Sequence, residues 1–338
     1  MIARDFESLK KLSIRRGATW QGGLRRLPLW VTPEGVKPFR PRAAIWVSSF
    51  GKVHVGDAVG PDDTSANLVM DAFVEFARHE RWGGYLPSRV EVTDPVEAAS
   101  LAPPLSELGI PVELTRKLQH VEEALGHLAD EAATNPAPGI LDAPEMSLER
   151  VRSFAEAARL FYEAAPWRHL TDEDLLRIEA PAGLRDAQHG LVLGAGGQEF
   201  GVILFDSPRL AAAMRRRPST EPFEHDSAWC VFFGPINEAP LEDADLFEDH
   251  GFPVAAPDAY PWPAQIGPKR RMRRPGVRAL QHLDAVLRAL AASTKSDYDE
   301  GRWTRVVVTP DGEVSVTLAL PDLVDPRARS ARREPLDD

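Results

Sequence analysis

Arg89-Val90-Glu91-Val92-Thr93-Asp94-Pro95-Val96-Glu97 is the stretch on which the fold turns. Its first five residues alternate apolar and polar side chains and are rich in β-branched types, the pattern of a half-buried strand. Asp94 then offers a helix N-cap, Pro95 suits the first helical position, and Glu97 stands where it would complete a capping box. A strand handed straight to a helix implies a sheet layered by helices.

Working outward, Ala43–Val47 and Lys52–Gly56 flank Ser48-Ser49-Phe50-Gly51 and read as two strands joined by a tight turn. Between Ser65 and Glu80 the residues Leu68, Val69, Ala72, Phe73, Phe76 and Ala77 recur at helical spacing. Downstream, Leu101, Leu105 and Leu108 extend the helix begun at Pro95 across Pro103 and Pro104, which should kink or split it. Gly109 stops that helix, Ile110–Leu114 is a further strand, and a last helix runs from His120 to Ala132. The order β-β-α-β-α-β-α defines an α/β domain over residues 43–133.

An opening hairpin, a helix, then a strand ending in Thr93-Asp94 and a following helix resembles the catalytic core of integrases and other ribonuclease H-like proteins. The resemblance covers residues 43–133 and implies a mixed sheet. In that family an acid on the first strand and another after the fourth strand hold divalent metal for phosphodiester chemistry, which needs clustered carboxylates. Asp94 falls where the second acid would be. The expected first strand carries Ser48 and Ser49 where the other acid belongs, and the nearest carboxylate, Asp57, lies past the second strand. Glu122 and Glu123 are the helix residues that would supply a third. The implied domain is therefore degenerate, its metal catalysis lost, and Asp94 has a complete explanation as a helix cap. No cofactor is expected. Magnesium or manganese enters only under the competing reading, a metal-dependent phosphodiesterase or nucleic-acid-processing protein in which Asp57, Asp94 and Glu122 or Glu123 converge.

The chain has 338 residues, beyond the size at which a single core stops growing, so a second domain is expected. Asn135-Pro136-Ala137-Pro138-Gly139, running on to Pro144, has linker composition, which places the linker at 134–147. Residues 148–320 then read as a separate α+β domain, with a charged flexible tail over 321–338. Its first helix puts Val151, Phe154, Ala155, Ala158, Phe161 and Tyr162 on one face. Strands follow around Leu191–Leu193, Phe200–Phe205 and Cys230, with an acidic helix over Leu241–His250 and a late helix striped by Val277, Leu280, Leu283, Leu287 and Leu290. Thr171-Asp172-Glu173-Asp174 reads as another helix start. Val306–Thr309 and Val314–Leu318, joined through Pro310-Asp311-Gly312, form the clearest hairpin.

The net charge of -11 conceals its distribution. Residues 1–42 carry ten basic and three acidic side chains and read as a basic N-terminal arm on an acidic body. A second basic element, Lys269-Arg270-Arg271-Met272-Arg273-Arg274, lies in an expected loop. Arm and loop can meet phosphates of nucleic acid, a protein partner, or the protein's own acids, among them Glu242, Asp243, Asp245, Glu248 and Asp249. Trp262, in the proline-stiffened run Tyr260-Pro261-Trp262-Pro263, stands beside this loop as an interaction residue or a core anchor.

Other patterns point away from chemistry. Gly194-Ala195-Gly196-Gly197 precedes a strand rather than a helix, so it reads as a hairpin turn and not a phosphate cradle. His120, Glu123 and His127 share a helical face but lack a ligand from elsewhere, so no metal site is assigned. The lone Cys230 sits in an apolar run and reads as core. No nucleophile elbow, zincin pair, Walker loop or kinase signature is present. At 43% hydrophobic and 27% charged residues the composition is globular, and no apolar run reaches the ~20 residues of a membrane helix. The start lacks the apolar core of a secretion signal, so no membrane partner and a cytoplasmic location are expected, and the arginine- and alanine-rich usage suggests a bacterial origin. The expectation that follows is a non-catalytic binding or regulatory protein, with nucleic-acid binding without catalysis as a further alternative.

Overall fold

The computed structural model describes residues 2–61, 67–79, 84–132, 138–180, 184, 187–205, 209–210, 227–267 and 272–324. The chain divides into two compact units, Met1–Pro136 and Ala137–Asp338.

In the first unit, helix α1 (Ile2–Leu9) leads into β1 (Ile14–Arg26), followed by β2 (Arg42–Ser48), β3 (Val53–Val55), α2 (Asn67–Arg78), β4 (Leu86–Val92), α3 (Pro95–Glu107), β5 (Val112–Leu114) and α4 (Gln119–Ala132). They form a five-stranded mixed sheet of order β3-β2-β1-β4-β5. β1 is antiparallel to β2 and parallel to β4, and β4 is parallel to β5. The expected basic arm over 1–42 is thus corrected: its middle, Ile14–Arg26, is the central strand of the sheet. Four of its cations, Arg15, Arg16, Arg25 and Arg26, lie at the two ends of β1, while Ala18 and Trp20 are fully buried between them. The strand also contains Gly17, Gly22 and Gly23 and shifts register between Arg15 and Thr19, which erases the alternation that marks an ordinary strand.

Successive residues point to opposite faces, so the sheet has two linings. On one, Trp20, Trp46, Val90 and Val92 meet Phe73 and Phe76 of α2 and Leu101 and Leu105 of α3. The Trp46 indole donates to the Val69 carbonyl at 2.9 Å, which satisfies its one polar atom inside this core. On the other face Ala43, Ile45 and Val47 pack with Leu118 and Val121 at the start of α4. α3 runs unbroken through Pro103 and Pro104. The carbonyls that lose an N–H partner, those of Ala99 and Ser100, belong to exposed residues, where water replaces the missing bond.

The second unit contains α5 (Leu148–Ala164), β6 (Leu176–Ala180), β7 (His189–Leu193), β8 (Phe200–Phe205), β9 (Ala228–Gly234), α6 (Leu241–His250), β10 (Tyr260–Ile266), β11 (Met272–Arg273), α7 (Val277–Ala291), α8 (Lys295–Glu300), β12 (Arg302–Thr309), β13 (Gly312–Ala319) and the single turn Pro321–Val324. Its sheet is eight-stranded and antiparallel, in the order β11-β10-β9-β8-β7-β6-β13-β12. The glycine run is the turn of the β7–β8 hairpin, with Leu193 opposite Gly201. α5 and α7 pack together across a buried polar knot: Ser153 donates to Asp284 at 2.6 Å and Arg288 to the same carboxylate at 2.6 Å.

Three expectations change here. The proline-stiffened run Tyr260-Pro261-Trp262-Pro263, given no regular structure from the sequence, is the start of β10, paired with β9. Pro261 and Pro263 are tolerated because β11 pairs only with Gln265 and Ile266, so that among the described residues no second strand neighbours β10 at the prolines. Thr171–Asp174 forms a turn closed by the Asp174 carboxylate on the Thr171 amide, 2.9 Å, and leads to β6 rather than a helix. Ile140, inside the expected linker 134–147, is buried within the second unit, in a short 3-10 turn.

Candidate functional site

Because β1, β3, β4 and β5 run in the same direction, their carboxyl ends gather at one end of the first sheet, where open α/β sheets commonly bind ligands. This end collects the polar groups of the first unit. β1 outruns β4 there, so Leu24 and Arg25 lie over the first turn of α3. Asp94 caps that helix, accepting from the Val96 amide at 2.7 Å. Glu97 does not complete a capping box. Its Oε1 instead accepts from the Leu24 amide of β1 at 2.7 Å, a bond between strand and helix.

Arg25 closes the arrangement. Its guanidinium donates to the Thr93 hydroxyl at 2.7 Å and to the Leu24 carbonyl at 2.9 Å, and lies 3.8 Å from Glu97 Oε2. Glu97 approaches this closely because Gly23, at φ +144°, has no side chain; a Cβ there would collide with the carboxylate. Burial pushes the Glu97 carboxyl up from its ordinary 4.5, and Asp94 pushes the same way, against the Leu24 amide and the cations Arg25 and Arg42. Deeper on the same sheet face, Gln21 of β1 sits opposite Glu91 of β4 and donates to it at 2.8 Å, while its carbonyl receives the His120 amide of α4 at 2.8 Å. Arg89 extends the network, bonding the Thr19 hydroxyl at 2.9 Å and pairing with Glu91 at 3.2 Å.

The carboxylates selected from the sequence do not converge. Asp57 follows the edge strand β3 and is exposed, whereas Asp94 follows β4, three strands away. At ~4.8 Å per strand that is about 14 Å, far beyond a shared metal ion. Glu122 pairs with Lys117 at 2.7 Å, and Glu123 accepts from Gln119 at 2.9 Å and faces His120 at 3.7 Å on the exposed side of α4. His127 is exposed on the same helix. Among the described residues no group of three His, Cys, Asp or Glu side chains is placed to hold a metal. Ser48 and Ser49 stand at the end of β2; the first strand is β1, which carries no carboxylate at all.

The second unit disperses the basic loop. Lys269, Arg270 and Arg271 lie outside the described residues. Arg273 is exposed on β11, but Arg274 turns inward, its side chain 5% exposed, to pair with Asp243 of α6. The Asp243 carboxylate also receives the Ile140 amide at 2.8 Å. Trp262 is half-buried, its ring 5.3 Å from that of Phe232 on the neighbouring strand. Cys230 is fully buried and burial alone pushes its thiol far up, so it is no nucleophile.

Residues 5–129 match the model of a family described as a domain of unknown function, DUF6930. The match spans β1 to β5 and most of α1 and α4, so it includes the basic segment together with the site. No curated protein matches the chain. Among solved structures, similarity extends to a chain of the cryo-EM structure of the simian T-cell lymphotropic virus intasome in complex with PP2A regulatory subunit B56 gamma. The two are 15% identical at a TM-score of 0.24, over 38% of this chain and 43% of that one, which is too slight to fix a fold. No helix among the described residues is long and apolar enough to cross a membrane.

Proposed function

We propose that the chain is a non-catalytic binding or regulatory protein whose first unit is a ribonuclease H-like scaffold without the carboxylates of metal chemistry. The sheet order β3-β2-β1-β4-β5, with one antiparallel hairpin side and two parallel strands, supports the scaffold. Asp94 follows the fourth strand, as the resemblance requires of the second acid. The single observation that carries the loss of catalysis is the composition of β1: the strand that should bring the first acid has Gln21 opposite Glu91. An amide oxygen already bonded to a backbone N–H, beside a guanidinium-paired glutamate, is a poor substitute for an anionic metal ligand. The ends of β1 and β4 are likewise occupied by their own partners, Arg25 with Thr93 and Glu97, so this end of the sheet is held shut by internal bonds.

For the basic loop, the Arg274–Asp243 pair favours attachment to the protein's own acids over phosphate at that arginine. Exposed Arg273 remains for a protein partner.

Thermal unfolding in magnesium and in manganese tests the reading, because a ligand that binds only the folded state raises the melting temperature. Neither ion should shift the midpoint at ~10 mM, a concentration that would add roughly 1.4 kcal/mol for a site of ~1 mM affinity. A rise of several degrees that Asp94→Asn abolishes would establish the metal-dependent phosphodiesterase reading instead.

A further inference from the structure

A sheet's two outer strands expose unpaired N–H and C=O groups, and proteins blunt such edges by shortness, charge, proline or bulges. Among the described residues three of the four edges are short: β3 and β5 have three residues each and β11 has two. β12 differs. It has eight residues, pairs with β13 in unbroken register, and contains neither proline nor bulge. Its last four residues, Val306-Val307-Val308-Thr309, are uncharged. Trp303, Val307 and Thr309 face inward, while Val306 and Val308 are 65% and 66% exposed.

The β12–β13 hairpin fixes which backbone groups are free. Its two-residue turn, Pro310-Asp311, makes Thr309 and Gly312 the closing pair. Hydrogen bonding alternates along antiparallel strands, so Thr309, Val307, Arg305 and Trp303 bond to β13, and Val308, Val306 and Thr304 direct their N–H and C=O groups outward.

From this we infer that β12 is a self-association edge, pairing antiparallel with β12 of a second copy about a two-fold axis at Val306 and joining the two sheets into one. In that register Val306 faces Val306 of the second copy, and Thr304 faces Val308, so every outward N–H meets an outward C=O. The side chains agree. Arg305 meets Val307 and Arg302 meets Pro310, and no like charges are opposed. A parallel pairing in register would set each arginine against its own copy. The cations are also occupied within their own chain, Arg302 by Glu179 at 2.8 Å and Arg305 by Asp297 and the Ala292 carbonyl. Antiparallel pairing about a two-fold axis uses the same patch on both copies and closes at two, leaving no free β12 edge to recruit a third.

One strand edge buries less than the ~1,200 Å² of a stable complex, so the dimer should form at high concentration and dissociate on dilution. The experiment is sedimentation velocity of the full chain from roughly 1 to 500 µM, a range that brackets a micromolar dissociation constant. The wild type should move from monomer to dimer across this range. Val306→Pro removes an outward N–H without touching the β13 ladder, and Val308→Lys opposes two charges to Thr304 of the facing copies; both should stay monomeric with unchanged circular dichroism. Should Val306→Pro misfold, Val308→Lys alone decides. A wild type that stays monomeric throughout, one that assembles beyond a dimer, or a dimer that survives Val308→Lys would overturn the proposal. None of these outcomes bears on the metal titration of the first unit.

Discussion

Replacing Asp243 by alanine should be among the most damaging single changes in the second unit. The carboxylate is 3% exposed and performs two tasks: one oxygen accepts the Ile140 amide at 2.8 Å, the other holds the Arg274 guanidinium. Arg274 already has Nε and Nη1 buried without a hydrogen bond, so among the described residues Asp243 is its only hydrogen-bonded side-chain anchor. Truncation strands a buried cation and a buried amide together. Breaking a buried pair from one side costs about 3–5 kcal/mol, and for a unit of this size that lowers the midpoint by roughly 2–4 °C per kcal/mol. A fall of about 6–20 °C is expected in a calorimetric scan, confined to the transition of the second unit. The double variant Asp243→Ala with Arg274→Met removes the stranded charge and should recover most of that loss, since an apolar replacement of both partners is often near neutral. A single variant that melts within about 2 °C of the wild type, or a double variant no better than the single one, would refute the assignment of Arg274 as an inward-facing structural residue.

Two further outcomes follow from the first unit. Glu97 has its carboxyl raised by burial, so its contribution to stability is complete below the unfolded value of 4.5 and is lost as pH rises through the folded value. Glu97→Gln should therefore be as stable as the wild type or more so at pH 7, with the advantage shrinking toward pH 4, read from midpoints across that range; a variant that gains stability on acidification relative to the wild type would contradict the sign. Gly22 pairs with Trp46, and a Cβ at this position would overlap the indole ring and the Ile45 carbonyl. Gly22→Ala should cost about 1–3 kcal/mol in urea unfolding, as overpacked cores do, whereas Gly60→Ala, in open space and free of a left-handed φ, should cost less.

Elements whose burial pattern is periodic were legible in the sequence. The stripe of Val277, Leu280, Leu283, Leu287 and Leu290 became α7, and the paired runs around Pro310-Asp311 became β12 and β13. The strand handed to a helix at Asp94 is likewise where it was expected. β1 was not legible, for a specific reason. A central strand of a mixed sheet normally reads as a continuous apolar run, but here close packing is achieved by deletion of side chains: Gly22 admits Trp46 and Gly23 admits Glu97. What remains in the sequence is a glycine-rich, arginine-flanked segment that looks like an arm. β10 hid in the same way, because two prolines argue against a strand unless its outer side is known to be unpaired.

The candidate site failed in the sequence for a related reason. Its partners come from β1 and the first turn of α3, separated by about seventy residues, and the spacing from Asp94 to Glu97 had a local explanation that proved wrong. A glutamate three residues after an N-cap satisfies the capping-box pattern whether it turns back to its own helix or reaches a neighbouring strand. Only the position of β1 separates the two, and the glycine pair Gly22-Gly23 was the one local signal of a close approach. With β1 at the centre of the sheet, no carboxylate lies between Ile14 and Arg26, and under the scaffold proposed above that strand, rather than β2, is where the first acid would be sought. The same correction alters the meaning of the basic residues. Arg25 and Arg40 are committed to groups of their own unit, Arg25 to Thr93 and Glu97 and Arg40 to the Leu27 carbonyl. Positive charge counted along residues 1–42 therefore overstates the field available to a phosphate backbone.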